Sequence, residues 1–133
     1  MESCIFCKIA NKEIPSKVIY EDEKCLVFLD ISPATKGHVL IIPKNHYADL
    51  FEIEESELFY LMGIAQKISQ RLKDRLGFEG LNVVQNNGSI AGQTVFHYHI
   101  HLIPRYKDDQ QKINWNPTNP SADELDLLWQ QLK

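Results

Sequence analysis

Apolar and polar positions divide the chain into short strand-like runs, one long helical stretch and a short helical segment at each end. Ile5, Phe6 and Ile9 recur at helical spacing, which predicts a short helix over residues 4–10 ending near Asn11. Ile14-Pro15 then reads as an extended link. Val18-Ile19-Tyr20 and Cys25-Leu26-Val27-Phe28-Leu29 are β-rich runs around the polar turn at residues 21–24, so they predict a hairpin. Residues 30–37 are loop by their turn residues. Residues 38–43 are apolar nearly throughout, as a strand covered on both faces is, and this predicts a central strand.

After His46 the period changes. Leu58, Leu61, Met62, Ala65, Ile68, Leu72 and Leu76 recur at three and four residues, which predicts one long helix packed on the sheet, with Gly77 as its C-terminal cap. Residues 81–85 predict a fourth strand, and residues 96–104 a fifth. Beyond Tyr106 the composition turns polar and residues 107–111 predict a mobile stretch. Ser121-Ala122-Asp123-Glu124 is a capping-box pattern, followed by Leu125, Leu128, Trp129 and Leu132 at helical spacing. The expected class is therefore α+β: about five mainly antiparallel strands, one long helix, a short N-terminal helix and a C-terminal helical tail. Residues 1–106 are expected to form the domain and residues 107–133 a tail belonging to it, without internal repeats.

The fifth run, Phe96-His97-Tyr98-His99-Ile100-His101-Leu102-Ile103-Pro104, holds three of the five histidines. An extended strand puts alternate residues on one face, roughly 6.6–6.8 Å apart. Such a strand would make one imidazole row of His97, His99 and His101, with Phe96, Tyr98, Ile100 and Leu102 in the opposite apolar layer. Neutral imidazole is a metal ligand, a nucleophile toward phosphorus and a proton shuttle near neutral pH. Three same-face strand positions span roughly 13 Å at the backbone, while zinc takes its nitrogens at about 2.0–2.1 Å. The row therefore predicts division of labour, not one three-histidine metal site.

Composition narrows the partners. Hydrophobic residues at 44% and charged residues at 24% are those of an ordinary globular protein, and the length suits one domain. A net charge of −4 argues against nucleic-acid binding through a broad basic surface, while leaving room for a small phosphorylated ligand. No apolar run approaches a membrane span and no signal-peptide core is present, so no membrane partner and a cytoplasmic location are expected. Three cysteines are an odd count for a disulfide framework: Cys4 and Cys7 form C-x-x-C, and Cys25 is expected to be a small buried strand residue.

His97-Tyr98-His99-Ile100-His101-Leu102-Ile103 resembles the signature of the histidine triad family. Phe28-Leu29-Asp30-Ile31-Ser32-Pro33, Gly37-His38-Val39-Leu40-Ile41-Ile42-Pro43-Lys44 and Gly92-Gln93-Thr94-Val95 extend the resemblance from Cys4 to about Tyr106. The chain is most similar to the purine phosphoramidase-like (Hint-type) branch in its bacterial form. The resemblance implies the histidine triad fold and a nucleotide hydrolase or transferase. In it, His99 attacks the α-phosphorus, forms a nucleotidyl-imidazole and releases a nucleoside monophosphate after hydrolysis. It also implies that His101 and His38 contact phosphate oxygens or the leaving group, with Thr94 beside the leaving group. Asn86, Gly92, Gln93 and Val95 would lie along the phosphate-side loop, where a glycine lets backbone N–H groups approach an anion. Asp30 would accept hydrogen bonds from the ribose, and Ile5, Phe6, Ile14, Phe28 and Ile31 would surround a purine base.

The resemblance further implies a Cys4, Cys7, His46 and His97 set around one structural zinc per chain, an arrangement that some bacterial members and the related galactose-1-phosphate uridylyltransferases share. Four protein ligands leave no open position, hence the structural role. A homodimer paired through the long helix and a strand is also implied. The polar stretch from Lys107 onward departs from the family's shorter tail. Two rival functions stay open: a dinucleoside polyphosphate hydrolase of the fragile-histidine-triad type, and a non-catalytic nucleotide-binding protein. A uridylyltransferase fits less well, because that family has His-Pro-His followed by Gln where this chain has His101.

Overall fold

The computed structural model describes residues 3–133. Five strands, β1 (Val18–Glu21), β2 (Cys25–Leu29), β3 (Val39–Pro43), β4 (Gly80–Val84) and β5 (Ile100–Arg105), form one sheet in the order β1-β2-β3-β5-β4, every pair antiparallel. Helix α1 (Ile5–Ala10) lies on one face and α2 (Glu55–Leu76) on the other; α3 (Ala122–Leu132) ends the chain.

Two cores follow from the alternation along β2 and β3. Cys25, Val27, Val39 and Ile41, with Ile100 and Leu102 of β5, pack under Leu61, Ile64, Ala65, Ile68 and Leu72 of α2. Leu26, Phe28, Leu40 and Ile42 face the other way, against Phe6, Ile9 and Ala10 of α1. A strand covered on both faces has no polar side to show, which is why β3 is buried at every residue. The hairpin, the central strand, the buried Cys25 and the Gly77 cap, left-handed at φ 62°, are as the apolar pattern predicts.

The helical stripe is rotated slightly from the expected one. Ile64 joins the buried row, while Met62 faces outward with Phe59. The fifth strand is also shorter than expected and begins at Ile100. Its neighbour β3 ends at Pro43, which has no N–H to continue the ladder past the Ile41–Ile100 pair. Residues 96–99 are thus a bend and an extended approach to the strand, held where Tyr98 N–H donates to Tyr47 O at 2.6 Å. Tyr98 still points into the α2 core, but Phe96 is half exposed and belongs to no core.

The stretch at residues 107–111 is anchored, contrary to expectation. Asp109 accepts from the Arg105 guanidinium at 2.8 Å and from the backbone N–H groups of Tyr106 and Gln111. Tyr106 and Gln111 then donate to the carbonyls of Lys36 and Ala34. Both halves of the capping box at Ser121 and Glu124 are formed, yet α3 buries none of its residues.

Candidate active site and metal cluster

The site lies where β3 starts and β5 is entered. Gly37 makes the turn before β3 at φ 89°, where a Cβ would lie 2.4 Å from Leu76 Cδ1. Only glycine fits there, and the turn delivers His38 to the sheet surface beside His101, whose strand partner is Leu40. His97, His99 and His101 keep to one side of the chain although only His101 is in the strand. The edge of Phe6 meets the rings of both His97 and His99, with centroids 6.0 and 5.0 Å away.

Backbone partners assign one nitrogen of His99 and one of His38, and His38 in turn assigns His101. His99 Nδ1–H donates to His97 O at 2.7 Å, which leaves the His99 Nε2 lone pair free. Ala34 N–H donates to His38 Nδ1 at 2.9 Å, so neutral His38 carries its proton on Nε2. His38 Nε2–H donates in turn to His101 Nδ1 at 3.0 Å, which places the His101 proton on Nε2. Asp30 Oδ2 lies 3.6 Å from His38 Nε2. Burial pushes the pKa of His38 and of His99 below the ordinary histidine value, opposed at His38 by Asp30 and at His99 by the His97 carbonyl and Asp30. Burial, with His99 and His38 alongside, lowers His101 to about 4. The three rings are therefore neutral at pH 7, with one free lone pair at His99 and one N–H at His101.

His99 and His101 border a cleft of about 360 Å³, a size typical of small-molecule sites. The structure brings Asp30, Thr94, Val95, His99 and His101 together in its wall. Ile5, Phe6, Ile14, Phe28 and Ile31 form its apolar end, where Phe6 and Phe28 meet edge to face at 5.7 Å. Ile9 and Leu40 also line it; read from sequence alone, both are ordinary core positions. Asp30 Oδ1 accepts from Ser32 N–H at 2.8 Å, so the carboxylate is fixed with lone pairs to spare.

Four predicted residues do not line the cleft: His38, which reaches it only through its bond to His101, and three in the loop before Thr94. Gln93 is buried and fully engaged: its Oε1 accepts from Gly88 N–H at 2.7 Å, and its Nε2 donates to Ala48 O and Val95 O. Gly92, at φ 100°, closes the turn after the short 3₁₀ segment Ser89–Ala91, and Asn86 packs beside it. These residues shape the loop that carries Thr94 and Val95.

Cys4, Cys7, His46 and His97 converge, their donor atoms all within 4.8 Å of one another. His97 Nε2–H donates to Pro43 O at 2.8 Å, so Nδ1 is the free nitrogen, and it faces the cluster. His46 Nδ1 and His97 Nδ1 are 3.2 Å apart, and the sulfur-to-nitrogen distances are 3.3–3.5 Å. A tetrahedral zinc with ordinary bond lengths has N···N and S···N edges of about 3.3 and 3.6 Å, so the four donors fit one ion. Burial raises the Cys7 thiol pKa, and metal binding there must release protons. Asp30, His38 and His101 also lie close together. His38 fits a metal there poorly, because Ala34 N–H occupies Nδ1 and the proton sits on Nε2, the nitrogen facing the group.

Comparison with known proteins places this geometry. The HIT domain family matches residues 11–108. An adenosine 5'-monophosphoramidase, HNT1, of Candida albicans is 43% identical over 137 aligned residues covering 98% of this chain and 90% of that protein. The crystal structure of a HIT family protein from Bacillus anthracis superposes with a TM-score of 0.91 at 39% identity, over 98% of this chain and 95% of that one. The family match ends at residue 108, as the expected departure of the tail implies, while this relative's coverage extends into the tail. A zinc-bound histidine triad family protein from Mycobacterium smegmatis superposes with a TM-score of 0.80 at 38% identity, over 88% of this chain and 85% of that one.

Proposed function

The chain belongs to the HIT domain family, and we propose that it cleaves nucleoside 5'-phosphate derivatives at the α-phosphate through a covalent intermediate on His99. Nucleotide hydrolysis is the chemistry of its family, as the name of the Candida albicans phosphoramidase states for that relative. The carrying observation is the free His99 Nε2 lone pair beside the His101 N–H, in a cleft that also holds a carboxylate and an apolar slot. A purine is read between Phe6, Phe28 and the isoleucines, with its ribose hydroxyls on Asp30.

In the first step the His99 Nε2 lone pair bonds to phosphorus as the P–N bond of a phosphoramidate breaks. The amine departs with one proton taken from solvent. In the second step water attacks phosphorus, the P–Nε2 bond breaks, the lone pair returns to His99 and one proton goes back to solvent. Among the described residues no lysine or arginine lines the cleft, so neutral donors would meet the growing phosphoryl charge: His101 Nε2–H, positioned by His38, and the Thr94 hydroxyl. Gln93, Gly92 and Asn86 support this loop. Substrates would be nucleoside phosphoramidates and adenylylated amines such as adenylylated lysine, releasing AMP or GMP.

The Cys4, Cys7, His46 and His97 cluster is read as holding one structural zinc. Such an ion would tie α1 to the approach of β5 and hold His97 O against His99 Nδ1. The protein is read as a cytoplasmic homodimer. Its three cysteines are free, and among the described residues no helix is long and apolar enough to cross a membrane. Outward-facing Phe59 and Met62 of α2, with Val83 of the edge strand β4, supply a surface for pairing.

Wild type and His99→Ala are to be compared on an AMP phosphoramidate and on diadenosine tetraphosphate. Wild type is expected to cleave the phosphoramidate faster, and His99→Ala to lose turnover while still binding AMP. Equal rates for the two proteins would remove His99 from the mechanism, and no cleavage by wild type would favour a binding protein.

A further inference from the structure

A second cleft, of about 570 Å³, opens on the far side of the Thr94-Val95 wall and shares Ile5, Thr94 and Val95 with the nucleotide cleft. Its apolar lining is Ile5, Ala48, Val95 and Phe96. Phe96 is 47% and Ile5 46% exposed, large apolar surfaces turned into a concavity and left uncovered by the described residues. Apart from Cys4 and His46 of the cysteine–histidine cluster, the one ionisable side chain in this lining among the described residues is Glu52. Glu52 sits on a built turn: its N–H and that of Ile53 both donate to Asp49 O, and Asp49 Oδ1 accepts from Phe51 N–H. Gln93 Nε2 donates to Ala48 O, so the Glu52 side of this cleft is fastened to the loop that carries Thr94.

We propose that this second cleft receives the leaving group, and that Glu52 selects leaving amines whose far end carries a second positive charge. The proposal rests on the phosphoramidase reading and deepens it. With the nucleoside between Phe6 and Asp30 and the phosphorus at His99, a leaving group that passes Thr94 enters this cleft. An alkyl chain of a few carbons would lie on Phe96 and Ile5, burying surface that is otherwise wet. A terminal ammonium would then meet the Glu52 carboxylate. A terminal carboxylate would meet repulsion from the same group, as would the anionic chain of a dinucleoside polyphosphate. Glu52 and Phe96 are specificity residues in this scheme and take no part in bond breaking.

The test measures kcat/KM for four AMP amidates: the unsubstituted one, and those of butylamine, 1,4-diaminobutane and 4-aminobutyrate. Wild type is expected to prefer the diamine over the amino acid by about tenfold, the scale of one attractive and one repulsive partly screened charge contact. High salt should shrink that preference. Glu52→Gln should abolish it and leave the unsubstituted amidate within about twofold of wild type, a difference well under 1 kcal/mol. Phe96→Ala should slow all three substituted amidates and spare the unsubstituted one. If the unsubstituted amidate turns over but the substituted ones follow no charge order, or keep their order in Glu52→Gln, this inference fails alone. If no amidate turns over, the phosphoramidase reading fails and this inference with it.

Discussion

Backbone groups fix the protonation pattern of the four histidines around β5. His97 O, Pro43 O and Ala34 N–H each take one ring nitrogen, and His38 passes the assignment on to His101. The imidazole that attacks phosphorus must be neutral, and burial lowers the His99 pKa below its usual value of about 6.5. The acid limb of kcat/KM should therefore lie below pH 6.5, with activity lost as the pH falls and His99 binds a proton. A pH profile with the AMP phosphoramidate as substrate checks this; a limb above 6.5 would contradict it. The alternation of histidines showed in the sequence which side chains share a side. It did not show the tautomers, because these depend on carbonyls and an amide 2 to 54 residues away along the chain. Cys25 also has the chemistry to react, but burial pushes its thiol up to about 12.

At the level of elements, the apolar pattern located all five strands and the long helix, and its errors have local causes. Alternation continues through Phe96 and so reads the fifth strand too long, whereas pairing with β3 ends at Ile41–Ile100, short of Pro43. Met62 was placed in the buried row because a stripe read at three and four residues leaves the choice between Met62 and Ile64 to packing. The segment at residues 107–111 reads as mobile from composition, yet the Arg105–Asp109 pair and its backbone bonds hold it. Gln93 belongs to the loop expected beside phosphate, and its side chain braces that loop. Gln93→Ala would leave Gly88 N–H without its side-chain acceptor and the carbonyls of Ala48 and Val95 without its side-chain donor. The expected cost is about 1–3 kcal/mol in urea unfolding, with a fall in kcat/KM as Thr94 and Val95 lose their support. Unchanged stability would mean that the loop is held some other way.

Taken whole, the molecule has its proposed nucleotide cleft on the α1 side of the sheet and exposed Phe59 and Met62 on α2. The Cys4, Cys7, His46 and His97 cluster joins α1 and the residue that caps it to the segment after β3 and the approach to β5. Protein purified without added metal is expected to carry about one zinc per chain, and a strong chelator should lower its Tm. Less than about a tenth of an equivalent of zinc in folded protein would remove the zinc reading. Binding requires neutral imidazole and deprotonated thiol, so zinc should be released as the pH falls. Pairing through α2 and β4 is checked by light scattering: Val83→Lys should yield monomers, and an intact dimer would place the interface elsewhere.

The central claim is that the nucleotide passes through a covalent bond to His99. It is tested most directly by mixing the protein with excess AMP phosphoramidate, quenching in alkali within the first turnover and weighing the intact chain. The expected result is a transient species heavier by one adenylyl group, localised by peptide mapping to His99 and absent from His99→Ala. Steady turnover with no such species, or an adenylyl group on any other residue, would contradict the account.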